Sequence, residues 1–219
     1  MPRASLAALF VALAAGLPAE AAAPPNREQV RFDPADQAAA RAALLRRADL
    51  GATGWTGGRV KPDPPTTIDC PGYEPKQTDL VLTGAAQADF HHTGIEIRSV
   101  VQVLRTRSMV ARDWSRSVVD PRAMACMRHL LATELKPGQR LVSFRRLAFP
   151  RLAAYSAAYR MLIEVRAQGQ RVLVLADEVL IGRNRTELTL ALAAPAALKA
   201  SISQAEIRLA RRLLSRVRA

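Results

Sequence analysis

Residues 155–192 read YSAAYRMLIEVRAQGQRVLVLADEVLIGRNRTELTLAL, and this stretch decides the fold. Tyr155, Ala157, Tyr159, Met161, Ile163 and Val165 recur every second position, the spacing that puts side chains on one face of a strand. Gln168-Gly169 and Gly182-Arg183-Asn184 supply turn residues at the right intervals. Tyr155–Val165, Arg171–Ile181 and Thr186–Leu192 are therefore expected as strands, preceded by another over Leu141–Phe149. Short turns between consecutive strands favour antiparallel pairing.

The same logic extends upstream. From Leu80 to Val103 the pattern again has period two and is broken by His92-Thr93-Gly94, which predicts a hairpin. Helices are expected around it. Asp33-Pro34 opens one that carries Ala38, Ala42, Leu44, Leu45 and Ala48 to Gly51. Ser108 caps a short one bearing Met109, Ala111 and Trp114. Asp120-Pro121 opens a third with Met124, Met127, Leu130 and Leu131 on one face, and Cys126 within it. Ser203 with Glu206 reads as a capping box for a last helix, with Ile207, Ala210, Leu214 and Val217 inward. Arg208, Arg211, Arg212, Arg216 and Arg218 lie on its outer side. The expected fold is a single α+β domain over 33–219, an antiparallel sheet of about six strands packed with helices.

The first residues carry an address. Arg3, an apolar run from Leu6 to Leu17, Pro18 and small residues at Ala19-Glu20-Ala21 or Ala21-Ala22-Ala23 match an export signal. The run is too short to span a bilayer core, which needs about 20 apolar residues. The expectation is a signal peptide over 1–23, cleaved near Ala21 or Ala23, and a mobile leader over 24–32. The protein is then secreted or extracytoplasmic, with no transmembrane helix in its mature part. A buried N-terminal helix is the alternative.

Cysteine usage agrees. Cys70 and Cys126 are the two cysteines, and an even pair in an oxidising compartment reads as a disulfide. Free thiols or a metal pair stay open. A bridge would close the loop from 70 to 126 and contribute about 4 kcal/mol at most. Cys70 would tie down Gly51–Thr78, which Pro62, Pro64, Pro65, Pro71 and Pro75 keep from being regular helix. Trp55 reads as an anchor against the core.

Searches for chemistry return little. Asp89, His91 and His92 resemble a metal cluster, but a strand sends adjacent histidines to opposite faces. His129 reads as a half-buried helix residue. Asp177 and Glu178 are neighbours on a strand, so they cannot act as an acid/base pair. Glu164 is expected to pair with an arginine across the hairpin. Asn184-Arg185-Thr186 fits the glycosylation triplet. No Gly-x-Ser-x-Gly elbow, phosphate-cradling glycine loop or dinucleotide fingerprint occurs, so neither a cofactor nor a catalytic residue is expected. The formal charge of +13, carried mostly by arginine, admits an anionic polymer as partner. Solvated arginine faces explain the same count.

Four segments carry a family resemblance. They are Leu45-Arg46-Arg47-Ala48-Asp49-Leu50-Gly51 with Gly54-Trp55, Cys70 ahead of Thr83-Gly84-Ala85, Ala111-Arg112-Asp113-Trp114, and Asp177 to Arg185. Their order and spacing over residues 35–218 resemble secreted domains of high-GC Gram-positive bacteria, including the extracellular sensor-like domain of PknH-type kinases. The resemblance implies a PsbP-like fold and a non-enzymatic module binding a small ligand or an envelope partner. Two further readings stand beside it: a polyanion-binding protein using Arg211, Arg212 and Arg216, and an extracytoplasmic hydrolase centred on the Gly51–Thr78 region.

Overall fold

The computed structural model describes residues 26–51, 53–63, 70–167 and 169–217. The export signal and its cleavage sites, Pro24, Pro64, Pro65, Gln168 and Arg218 lie outside the described residues.

Two long hairpins build the sheet. Strands β3 (Val81–His92) and β4 (Ile95–Leu104) form one, and β7 (Gln170–Arg183) and β8 (Thr186–Pro195) belong to the other half. With β5 (Gln139–Arg146) and β6 (Tyr155–Ala167) they make the antiparallel run β3-β4-β8-β7-β6-β5. The long strands thus appear where period-two spacing placed them. Two short strands were not foreseen. β1 (Gln29–Val30) falls within the expected leader and pairs parallel to β3 at Val81 and Leu82. β2 (Thr56–Val60) falls within the expected irregular stretch and pairs antiparallel with β3 from Gln87 to His91. Among the described residues the sheet therefore has eight strands rather than about six, with one parallel pair, and it does not close into a barrel.

The leader segment is pinned by backbone bonds from Gln29, Arg31 and Asp33 amides to the carbonyls of Leu80, Leu82 and Thr83. Satisfying those edge groups of β3 favours order over mobility for residues 26–33. β2 was masked in the sequence by Gly57 and Gly58, poor strand residues. Gly57 is required there: with φ of +96°, any Cβ would sit 2.2 Å from the Asp89 carbonyl oxygen.

Helices α1 (Pro34–Ala43) and α4 (Lys199–Leu214) cover one face. Asp33 caps α1, its carboxylate accepting from the amides of Ala35 and Asp36. The helix stops at Ala43 because Leu44 turns extended. Its buried face is Ala40 and Ala43, continued by Leu44 and Leu45, whereas Ala38, Ala42 and Ala48 are exposed. Close approach sets that rotation: a Cβ on Gly84 would lie 2.4 Å from the Asp36 carbonyl oxygen, so α1 lies directly on β3. Leu175, Val179, Leu188, Leu190, Leu192 and Phe90 fill the space beneath.

Helices α2 (Arg107–Trp114) and α3 (Pro121–Glu134) lie on the opposite face, joined by a π turn at Ser115–Val119. Thr106, not Ser108, caps α2, accepting from the Met109 amide; the Ser108 hydroxyl is occupied with Thr106. Asp120 caps α3 as expected. Met124, Met127 and Leu131 pack with Phe144, Ala157 and Tyr159.

The last helix corrects a second expectation. It begins at Lys199 with no side-chain cap, so Ser203 and Glu206 sit inside it. Both point inward. Arg160 and Asp177, cross-strand partners on β6 and β7, form a buried bidentate ion pair, Nε to Oδ1 at 2.6 Å and Nη2 to Oδ2. Arg160 Nη2 also donates to Ser203 Oγ at 3.0 Å. Glu206, 2 % exposed, lies beside Asp177 with one carboxyl oxygen lacking a partner. The inward face of α4 is accordingly Ile202, Glu206, Leu209, Ala210 and Leu213, with Val217 just beyond; Ile207 and Leu214 are half-buried.

Burial, then the hydrogen bond to Asp177 and its charge, push the Glu206 carboxyl up to about 9 against the opposing pull of Arg160. A carboxyl raised in the folded state stays protonated while the unfolded chain ionises. Stability therefore falls as pH rises from the ordinary carboxyl value towards 9. Glu206→Gln keeps a donor for Asp177 and removes the titration. It is expected to stabilise the fold by about 1–3 kcal/mol at pH 8 and to change little at pH 4.5. Denaturant unfolding of both proteins at the two pH values measures this; equal stability at pH 8 would refute a neutral Glu206.

Candidate functional site

On the α2–α3 face the described residues 61–63 and 70–79, together called the strap, are fastened to the sheet and to α3. The strap leaves β2 at Lys61. The Asp63 amide donates to Gln87 Oε1 at 3.1 Å, and the Asp63 carboxylate meets Arg98 at 3.3 Å. At Cys70 the strap is bonded to Cys126 of α3, with a Cα–Cα separation of 5.5 Å. Cys70 and Cys126 are thus joined as the expected disulfide. Tyr73 packs against the bridge, Ala123 and Leu130. The Arg122 guanidinium lies 5.1 Å from the Tyr73 ring centre. The Tyr73 hydroxyl donates to the Arg116 carbonyl, and Arg116 clasps Asp79 through two bonds of 2.7 and 3.0 Å. Asn26 Oδ1 accepts from the Gln77 amide at 2.7 Å, which fastens the end of the strap to the N-terminal segment.

Beside this strap lies a group of carboxyls that the sequence reading missed. Asp113 of α2 accepts from Ser117 Oγ at 2.9 Å and hydrogen-bonds Glu187 of β8. Glu28, from the segment ahead of β1, faces the same pair. All three are half-buried as residues, yet Glu187 Oε1 and Glu28 Oε2 are shielded from solvent and lack partners. Desolvation disfavours charge there. Burial, then the Asp113 charge, raise Glu28 to about 7. Burial raises Asp113, opposed by its bonds to Ser117 and Glu187. Glu187 is pushed well up by burial, by the charges of Asp113 and Glu28, and by donating to Asp113.

A second acid lies further along this face. Glu178 shares a crevice with Ser117, Met124, Met127, Phe144, Tyr159 and Leu180. Its volume of about 20 Å³ suits one water molecule. Burial alone raises Glu178, and burial also raises Tyr159, its cross-strand partner. Glu178 and Asp177 do point to opposite faces, as strand alternation requires.

The histidines stay apart from these groups. His91 lies 3.7 Å from Glu96 at the tip of the first hairpin. His92 packs against Trp55, ring centres 5.1 Å apart, and Trp55 anchors on the core. Asp89 binds Arg98 at 3.1 Å rather than either histidine. His129 is exposed on α3, not half-buried. Among the described residues no three metal-ligating side chains converge, and no histidine side chain hydrogen-bonds a hydroxyl. Glu164 pairs across the hairpin with Arg140 at 3.2 Å. Asn184 takes a left-handed turn conformation, and Arg185 binds Asp36.

Glu187 was hidden because alternation in Thr186-Glu187-Leu188-Thr189-Leu190 reads as polar-out on a half-buried strand. The helices α2 and α3 cover that polar side. Glu28 could not be placed without β1.

No protein-family model matches the chain, and no curated protein matches it. Two solved structures bear a faint likeness. One is PA94 of Pseudomonas aeruginosa, a protein of unknown function, at 17 % identity over 51 % of this chain and 70 % of that one, with a TM-score of 0.29. The other is LpqN, involved in cell envelope biogenesis of Mycobacterium tuberculosis, at 14 % identity over 71 % and 80 %, with a TM-score of 0.31.

Two outcomes follow from the geometry. Glu28 gains charge as pH passes about 7, beside Asp113, so its contribution to stability is present at low pH and lost on the way up. Amide exchange at Gln29, Arg31 and Asp33, corrected for intrinsic rates, is expected to quicken between pH 5.5 and 8 and to lose that dependence in Glu28→Gln. Replacing Cys70 and Cys126 by serine is expected to cost about 2–4 kcal/mol. Limited proteolysis should then cut the strap first; an unchanged cleavage pattern would show that the bridge does not hold it.

Proposed function

We propose that this chain is an exported, non-catalytic binding domain that engages a small ligand between the disulfide-tied strap and the carboxyls of Glu28, Asp113 and Glu187. The observation that carries the reading is the Cys70–Cys126 bridge, which fixes an irregular segment beside half-buried acids. Structural disulfides persist in oxidising compartments, which supports export. No helix among the described residues is long and apolar enough to cross a membrane.

The chemistry of the site selects its ligand. Crowded in poor solvent, Glu28 and Glu187 are pushed towards their protonated forms by burial and by the charge of Asp113. A ligand ammonium or guanidinium placed among them reverses both effects and binds with release of protons. An anionic ligand among these carboxyls meets repulsion from Asp113 and drives Glu28 and Glu187 further from ionisation. The net positive charge of the protein opposes a cation at long range, but salt screens that field beyond about 8 Å.

The test is calorimetry with agmatine and putrescine as probes at pH 7, in two buffers of different ionisation enthalpy. Binding with proton release, weakened at least tenfold by Glu187→Gln, is the expected result. Native mass spectrometry of protein exported from its own host, with sequencing of its first residues, supplies the second arm. A chain beginning near Pro24 with a bound amine agrees with the proposal. No binding by either amine and no retained molecule would remove the ligand site, and a full-length cytosolic chain with reduced cysteines would remove export.

A further inference from the structure

We infer that the outer face of α4 is a docking surface for a linear acidic polymer, held through Arg208 and Arg211 with Arg212 at the side. The surface lies on the opposite side of the sheet from the strap, so the inference is independent of the ligand reading above. A shallow open groove of about 530 Å³ runs along the helix, lined among the described residues by Gln204, Ile207, Arg208, Arg211, Arg212 and Ser215. All but the half-buried Ile207 are exposed.

The arginines differ in how they are engaged. Arg216 is committed to the fold: it binds Asp49 through bonds of 2.8 and 2.7 Å and donates to the Leu44 carbonyl at 2.7 Å. It therefore leaves the set of three expected from the sequence. Arg212 lies 3.7 Å from the same carboxylate. Arg208 and Arg211 have no acidic partner among the described residues. The acids of the neighbouring layer are already used, Asp36 by Arg185 and Asp49 by Arg216. Positive potential on this face is thus not offset locally.

The shape favours a chain over a lipid surface. Residues 204–215 span about 17 Å of helix at about 1.5 Å per residue, with guanidinium groups one turn apart along one edge. Planar guanidinium forks match carboxylate, sulfate and phosphate oxygens two at a time. Repeating acidic groups on an extended polymer meet such a row in register. A membrane-binding face also needs large apolar side chains to insert, and none between Lys199 and Val217 is among the exposed large hydrophobics.

Fluorescently labelled heparin serves as the probe in anisotropy titrations of the full chain at 0.1 M NaCl. Wild type is expected to bind, and Arg208→Gln/Arg211→Gln to bind about tenfold more weakly with a shallower salt dependence. Arg59→Gln/Lys61→Gln, which removes the same charge from β2 and the residue after it, should change affinity less than about twofold. Thermal melts of all three proteins should coincide, since the altered side chains are exposed; Arg211→Gln alone supplies a milder variant with an intermediate loss. Equal weakening by both double variants would reduce the effect to net charge and overturn the proposal. So would unaltered heparin binding by Arg208→Gln/Arg211→Gln, or binding to phosphatidylglycerol vesicles without binding to heparin.

Discussion

The contact between Arg160 and Asp177 governs the layout of one half of the molecule. Two charges buried between β6 and β7 are tolerable only because each finds several partners. Ser203 and Glu206 of α4 supply the remaining ones. The helix is therefore positioned by a polar demand of the sheet as well as by Leu209 and Leu213. Its far end is fixed by a second arginine, Arg216, which reaches the turn after α1. With both ends fixed, the rotation of α4 is determined, and so is the direction in which Arg208 and Arg211 face.

Charge is thereby sorted across the sheet. On the α2–α3 side Glu28, Asp113 and Glu187 are crowded and pushed towards protonation, whereas Asp79 is held down by its bond to Arg116. The described acids of the α1–α4 layer are buried, capping a helix or paired. Glu28, Asp113 and Glu187 gather on one face, and Arg208 and Arg211 are exposed on the other. The same composition spread evenly would give neither.

The long strands were legible because period-two spacing over ten or more residues is hard to imitate, and Asp33-Pro34 and Asp120-Pro121 announced their helices through a carboxylate and a ring suited to the first turn. The bridge was legible from compartment and parity alone. The short strands β1 and β2 were not: one has two residues, the other has glycine at two of its five, and both depend on the edge of β3 rather than on local preference. Ser203-x-x-Glu206 misled for a specific reason. Positions three apart lie on one helix face as surely as they bracket a helix start, and only the ion pair below decides between the two. The acid cluster was invisible because its members come from three distant segments.

The arrangement of β1 and β2 along β3 carries a consequence for self-association. Between them they pair with Val81, Leu82 and Gln87 to His91 of β3, so that border is made of two short strands and not one long one. The other border is β5, where Arg140, Arg145 and Arg146 are exposed and the ladder slips between Leu141 and Ser143. Bulges and repeated like charge are the devices that discourage strand-to-strand growth between copies. Each border of the described sheet thus carries a feature that disfavours pairing with a strand of another copy.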